Sequence, residues 1–510
     1  MKQTRHGFPR SAGVLLPVSS LPSPYGIGNF GAQARKWVDF LHEAGQRYWQ
    51  ILPLSPTGPA DSPYQSFSAF AGNPYFIDFD TLADDGLLET ADFAGLDWGR
   101  SADKVDYGAL YMNREPVLRK AFSRFRDDSA LDGFIESSHW LKSYALFMVI
   151  KASHKLHPWM EWDEPLRTRQ PEALSQVEKE YKDDIRYHAF VQYQFDRQWG
   201  ALRAYAAGKG VEIIGDIPIY VSLDSADVWE NRELFQLDEN NIPKEVSGCP
   251  PDYFSEAGQI WGNPLYDWEY IAKTGYLWWI RRLQRNFDWF DVLRLDHFRG
   301  LESYFAIPYG AASAKDGHWR PGPGTAFIDV VDSTVHEASI IAEDLGVQTD
   351  EVKQLLEYST YPGMKIVQYA FDERDAGDNI PFSYEENMVI YPGTHDNDTV
   401  KGWYQSTPRA VVRTAMSYLG LRRKSDLPYG MIRQAFQSRS NLAVILIQDW
   451  LKLGNGARLN TPSTVGGNNW RWRLRKNALT GKLAKEMASM TAMFGRDAAE
   501  AGKEKAVPSL

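Results

Sequence analysis

Eight stretches of this chain are apolar almost without a break: 14–18, 49–52, 211–217, 290–296, 339–343, 364–370, 388–391 and 442–447. A strand with one wet face alternates polar and apolar residues. Continuous apolar runs mark strands covered on both faces, as in a parallel sheet flanked by helices. Helical stripes lie between the runs, such as Ala34, Trp37, Leu41 and Ala44, then Val191, Phe195, Trp199 and Leu202. Eight strands separated by helices predict an α/β fold, a (β/α)8 TIM barrel formed by the single catalytic unit 1–510. The gap between the second and third runs is too long for one crossover. Residues 75–190 therefore read as an inserted, largely helical subdomain. Residues 222–267 fit no hydrophobic period and read as a long loop insertion, and loops of that length are usually functional.

Three of the runs end in, or shortly before, a carboxylate. The strings are RLDHFRG (294–300), AEDLG (342–346) and GTHDNDT (393–399), with Asp296, Glu343 and Asp396. An acid at the end of a buried strand is costly unless it faces a cleft. In a barrel the C-terminal strand ends form the active-site face. Three such acids suggest one cleft equipped to break a glycosidic bond. Arg294 shares a strand face with Asp296, two residues on, and a neighbouring cation keeps a carboxylate ionised. Glu343 follows Ile340, Ile341 and Ala342, an apolar setting that raises a carboxyl pKa and keeps a proton for a leaving oxygen. Asp216, closing the third run, is either a further polar group of the cleft or an acid that orients Arg294. His297 and His395 flank two of the acids; such histidines bind metal or, more usually, hydrogen-bond, here to sugar hydroxyls. Among the small polar and aromatic residues of 62–75, Tyr64 and Phe70 are candidates for stacking on a sugar or for core burial.

Other chemistries fit less well. Counted from Asp396, a calcium loop needs Gly at position 6 and Glu at position 12, where Lys401 and Thr407 stand. No Cys/His spacing resembles a zinc site, and no cofactor is expected. GIGNFG (26–31) matches a dinucleotide fingerprint, but SLPSPY separates it from the first strand. A net charge of -10 argues against a nucleic-acid partner. The apolar run 145–150 is too short to span a membrane. With one cysteine, Cys249, and no apolar signal stretch in MKQTRHGFPRSAG, a cytoplasmic location is expected. With 18 Trp and 14% aromatic residues, the rings either fill a large core or line a sugar cleft.

The ordered set GVLLPVSSLPSPYGIGNFG, WQILPLSPTG, SPYQSFSAFAGNPY, GDIPIYV, CPPDYFSEAGQIWGNP, LRLDHFRG, IAEDLG, YPGMKIVQYAF, GTHDNDT, NTPST and NWRWR runs from about residue 10 to 475. In it the chain resembles the amylomaltases, the 4-α-glucanotransferases of glycoside hydrolase family 77. The resemblance implies an α-1,4-glucan or maltooligosaccharide as both donor and acceptor. It implies Asp296 as nucleophile, Glu343 as general acid/base and Asp396 as transition-state stabiliser. It also implies Arg294, His395 and Asp216 around the donor sugar and Tyr64 as an aromatic partner. Asp252, Phe254, Gln259 and Trp261 then belong to a lid over the acceptor side, within which Cys249 also falls.

Overall fold

The eight runs form one parallel sheet. The computed structural model describes residues 7–251, 256–335, 339–371 and 379–497. Its twelve strands are numbered in chain order. Those of the large sheet are β1 (Ser11–Leu15), β2 (Tyr48–Gln50), β3 (Glu212–Ile217), β6 (Val292–Leu295), β9 (Ile340–Ala342), β10 (Gly363–Ile366), β11 (Met388–Tyr391) and β12 (Leu442–Leu446). The order is β10-β11-β12-β1-β2-β3-β6-β9 with every ladder parallel. The N–H of Ala342 donates to the carbonyl of Pro362 at 3.0 Å, linking the ends of the order into a nearly closed barrel. Every residue of β1 and β12 is buried, which is why their sequences do not alternate.

The strands are shorter than the apolar runs. The first run overshoots β1 because Pro17 ends the ladder and Val18–Ser20 make a 3-10 turn. The sixth overshoots β10 because Val367–Phe371 coil into another 3-10 turn while staying mostly buried. In the GIGNFG segment the glycines serve packing. A Cβ on Gly28 would stand 1.8 Å from the Val18 carbonyl oxygen, and Gly31 caps the helix Ala32–Glu43.

Between β2 and β3 lie the helices Phe79–Asp84, Tyr107–Arg124, Asp128–Ser137, Leu141–Ser153, Pro171–Glu180 and Lys182–Gly208. The last spans 27 residues and runs through residue 190 without a break, so the inserted helices are continuous with the barrel's own layer. Lys151, 1% exposed, fastens the insertion to the barrel. Its ammonium lies 2.5 Å from Asp224 and over the ring of Phe67 at 5.0 Å. Phe67 and Asp224 belong to the connections after β2 and β3.

Segment 222–267, read from sequence as an irregular loop, contains the helix Ala226–Glu230 and the strands β4 (Glu245–Cys249) and β5 (Gln259–Pro264). With β7 (Ser303–Pro308) and β8 (His318–Pro321) they form an antiparallel sheet of order β5-β4-β7-β8. These strands are short and carry Gly248 and Gly262, and the central ladder pairs β4 with β7, some sixty positions away. No local period announces them.

Candidate active site

The polar groups of the barrel gather where its strands end. Asp216 in β3 and Arg294 in β6 are register partners, and both are nearly fully buried. The N–H of Asp296, one residue past β6, donates to the Ile217 carbonyl at 3.0 Å; the N–H of Glu343, one past β9, donates to the Leu295 carbonyl at 3.0 Å. Backbone bonds to neighbouring strands thus fix both acids before any side-chain contact.

One arginine nitrogen organises the floor. Arg294 Nη1 donates to Asp216 at 2.8 and 2.7 Å and to Asp296 Oδ1 at 2.9 Å. A buried guanidinium requires anionic partners, and these hold its pKa well above the usual value against the opposing effect of burial. Asp216 faces Arg294 with both oxygens, which agrees with an acid that orients it. The Asp296 side chain remains 28% exposed toward the cleft.

Glu343 is set differently. Oε2 accepts the His297 N–H at 2.7 Å and Oε1 accepts the Leu345 N–H at 3.0 Å. Burial pushes its pKa up to about 8, and Asp296 pushes the same way, while Arg294 and the two N–H groups oppose. Desolvation of the charged form wins. At neutral pH this carboxyl keeps its proton.

Tyr64 joins Asp216 to His395. Its hydroxyl lies 2.9 Å from Asp216 Oδ2 and 2.8 Å from His395 Nε2. A hydroxyl has one proton, so Tyr64 donates to the carboxylate and accepts from Nε2–H. His395 Nδ1 is buried and without a hydrogen-bond partner among the described residues. The two rings stack at 5.4 Å and 10°. Burial raises the Tyr64 pKa well above its ordinary value, so the phenol stays a donor. Phe70, the other aromatic candidate from this loop, is 3% exposed and stacks on Trp140: it is core.

Asp396 follows β11 by five residues and relies on groups that sequence reading did not single out. Asn460 Nδ2 donates to its Oδ1 at 2.7 Å, and Arg458 Nη2 donates to its carbonyl oxygen at 2.7 Å. Trp470 tilts over Tyr64 at 5.7 Å. All three lie in the turn-rich stretch after β12, where the polar string NTPST and the indole string NWRWR were the available signals. His297 sits beneath Trp261, ring to edge at 4.8 Å, and burial lowers its pKa to about 4, so the ring is neutral. Trp261 Nε1 donates to Gln259 Oε1 at 3.2 Å, which pairs these two rim residues of β5. Asp252 and Phe254 lie outside the described residues. Among the described residues no group of three or more His, Cys, Asp or Glu is arranged to hold a metal ion.

The arrangement sets two carboxyls in different surroundings: one against a cation, the other with its pKa raised by burial. Such a division suits glycosidic bond exchange.

Comparison with known proteins agrees. A family model described as 4-alpha-glucanotransferase matches residues 16–480. The 4-alpha-glucanotransferase of Clostridium butyricum is 44% identical over 484 residues, covering 94% of this chain and 99% of its own. That of Thermus thermophilus is 45% identical over 493 residues, covering 94% and 97%. The solved amylomaltase of Streptococcus agalactiae in complex with acarbose superposes with a TM-score of 0.93 at 38% identity, covering 96% of this chain and all of that one.

Proposed function

The chain belongs to the 4-alpha-glucanotransferase family, and from that premise we propose that it disproportionates α-1,4-glucans by a retaining double displacement divided among Asp296, Glu343 and Asp396. It is a 4-α-glucanotransferase, which moves a glucan segment from one maltooligosaccharide to another. In the first step Asp296 attacks the anomeric carbon while Glu343 gives its proton to the departing sugar oxygen. A covalent glycosyl-enzyme forms with inverted configuration. In the second step Glu343, now a base, takes the proton of an acceptor 4-hydroxyl, whose oxygen displaces Asp296. The second inversion restores the α link.

One observation carries this reading. The residue next to Asp296 donates its N–H to Glu343, so nucleophile and acid are tied to one turn. This favours the close carboxyl spacing of retaining enzymes, about 5–5.5 Å, over the wider gap that admits a water. In this reading Asp396, held by Asn460 and Arg458, binds ring hydroxyls more tightly as the sugar flattens, and only such differential binding accelerates the step.

Arg294, Asp216, Tyr64, His395 and His297 frame the donor sugar in this account. Gln259 and Trp261, with Asp252 and Phe254, cover the acceptor side. An acceptor side filled by carbohydrate and aromatic rings excludes water and makes transfer the productive outcome. A cytoplasmic site of action is part of the proposal. Its support is that no described helix is long and apolar enough to cross a membrane, that the single cysteine fits a reducing compartment, and that maltodextrins are the substrate class.

Incubation with maltotriose tests the proposal. Glucose together with a ladder of longer maltodextrins, at constant total reducing ends, is the expected result. A steady rise in reducing ends would assign the protein to hydrolysis instead.

A further inference from the structure

Among the described residues adjacent in sequence to the three acids, His297 alone is in a left-handed conformation, at φ 56° and ψ 48°. Histidine is among the residues that tolerate this region, but a β-branched side chain there is a genuine outlier. The conformation has a visible result. The N–H of His297 points at Glu343 Oε2 at 2.7 Å, and the next N–H, of Phe298, points at the Glu343 backbone oxygen at 3.0 Å. Successive N–H groups come to face one side when a left-handed residue adjoins a right-handed one; here they take two oxygens of the same residue, one on the carboxyl and one on the main chain. Phe298 opens the 3-10 turn Phe298–Leu301, which supplies the right-handed half. Gly300 completes the packing: a Cβ there would lie 3.1 Å from His297 Cδ2.

We propose that His297 is a positioning residue whose left-handed backbone aims two successive N–H groups at Glu343, fixing the acid/base against the turn that carries the nucleophile. This rests on the reading of Glu343 given above. The donor contact has a direction: a hydrogen bond to the carboxylate favours the ionised form and lowers its pKa. The other groups facing Glu343 are Arg294 from β6, Asp296 and the Leu345 N–H. Asp344 turns away, accepting the Met364 N–H at 2.7 Å.

The test compares His297→Gly, His297→Asn and His297→Val in pH profiles of glucose release from maltotriose. Glycine and asparagine accept the left-handed backbone and lack the imidazole; valine resists it. The proposal expects the alkaline limb of kcat/KM to stay in place for Gly and Asn and to move upward by about one pH unit for Val, the scale of one charged hydrogen bond. If Val does not fold, the Gly and Asn limbs decide alone, since an upward shift in both would assign the effect to the imidazole and overturn the proposal. An unshifted limb in folded Val would overturn it equally. Loss of the alkaline limb in the wild-type enzyme itself would instead remove the acid/base reading on which the proposal rests.

Discussion

Replacing Glu343 with Gln should reverse the order of stability between acid and alkaline conditions. In the folded enzyme burial raises this carboxyl from 4.5 to about 8. At pH 7 about nine-tenths of it is then protonated, against well under one part in a hundred at the ordinary value. The same shift acts on stability. The folded state holds the proton more tightly than the unfolded chain, so the contribution is fully present below pH 4.5 and lost as pH rises to about 8. Over that window the loss approaches about 5 kcal/mol, at about 1.4 kcal/mol per unit. Glutamine does not titrate and escapes this loss. Its amide brings a different cost: the NH2 group must face either the His297 or the Leu345 N–H, leaving one buried donor unsatisfied at about 1–3 kcal/mol. The variant should therefore melt below the wild type at pH 5 and above it at pH 8. Calorimetric Tm measurements on both proteins at both pH values check this. A Tm difference independent of pH would show that Glu343 does not titrate in this window, and the assignment of the acid would fail with it.

Tyr64→Phe removes the donor to Asp216 and the partner of His395 Nε2; kcat/KM should fall about ten- to a hundredfold, and an unchanged value would show that the pair is decorative. Asn460→Ala leaves Asp396 Oδ1 without its amide. Here kcat should drop by about tenfold or more with little change in donor KM, whereas a pure KM effect would make Asn460 a substrate contact. Lys151→Met removes the buried ammonium from Asp224, which is 21% exposed and keeps the Trp159 N–H, at a cost of about 1–3 kcal/mol. Limited proteolysis should then open the helical insertion first, and uniform cutting elsewhere would contradict its role as the tie.

The barrel was legible because a parallel strand buried on both faces leaves an unbroken apolar signature, and all eight runs carry one. Strand ends were less legible, because residues such as Leu16 and Val367 are as buried as the ladders they adjoin. The antiparallel sheet was hidden by its central ladder, in which Gly248 meets Phe305 from far along the chain, and by strands whose sequences do not sustain an alternation. The three acids and Arg294 stood out as charges ending apolar runs. Asn460 and Arg458 did not, since a polar residue in a turn-rich stretch carries no excess cost that demands explanation. The contact of Tyr64 with His395, 331 positions apart, exists only once the barrel closes.

The central claim is a glycosyl group held on Asp296. A maltosyl fluoride donor given to Glu343→Gln removes the need for acid assistance in the first step and withholds the base for the second, so the intermediate accumulates. Peptide mapping by mass spectrometry should find one maltosyl adduct, on Asp296. An adduct on any other side chain, or a product released with the β configuration and no adduct at all, would contradict the account.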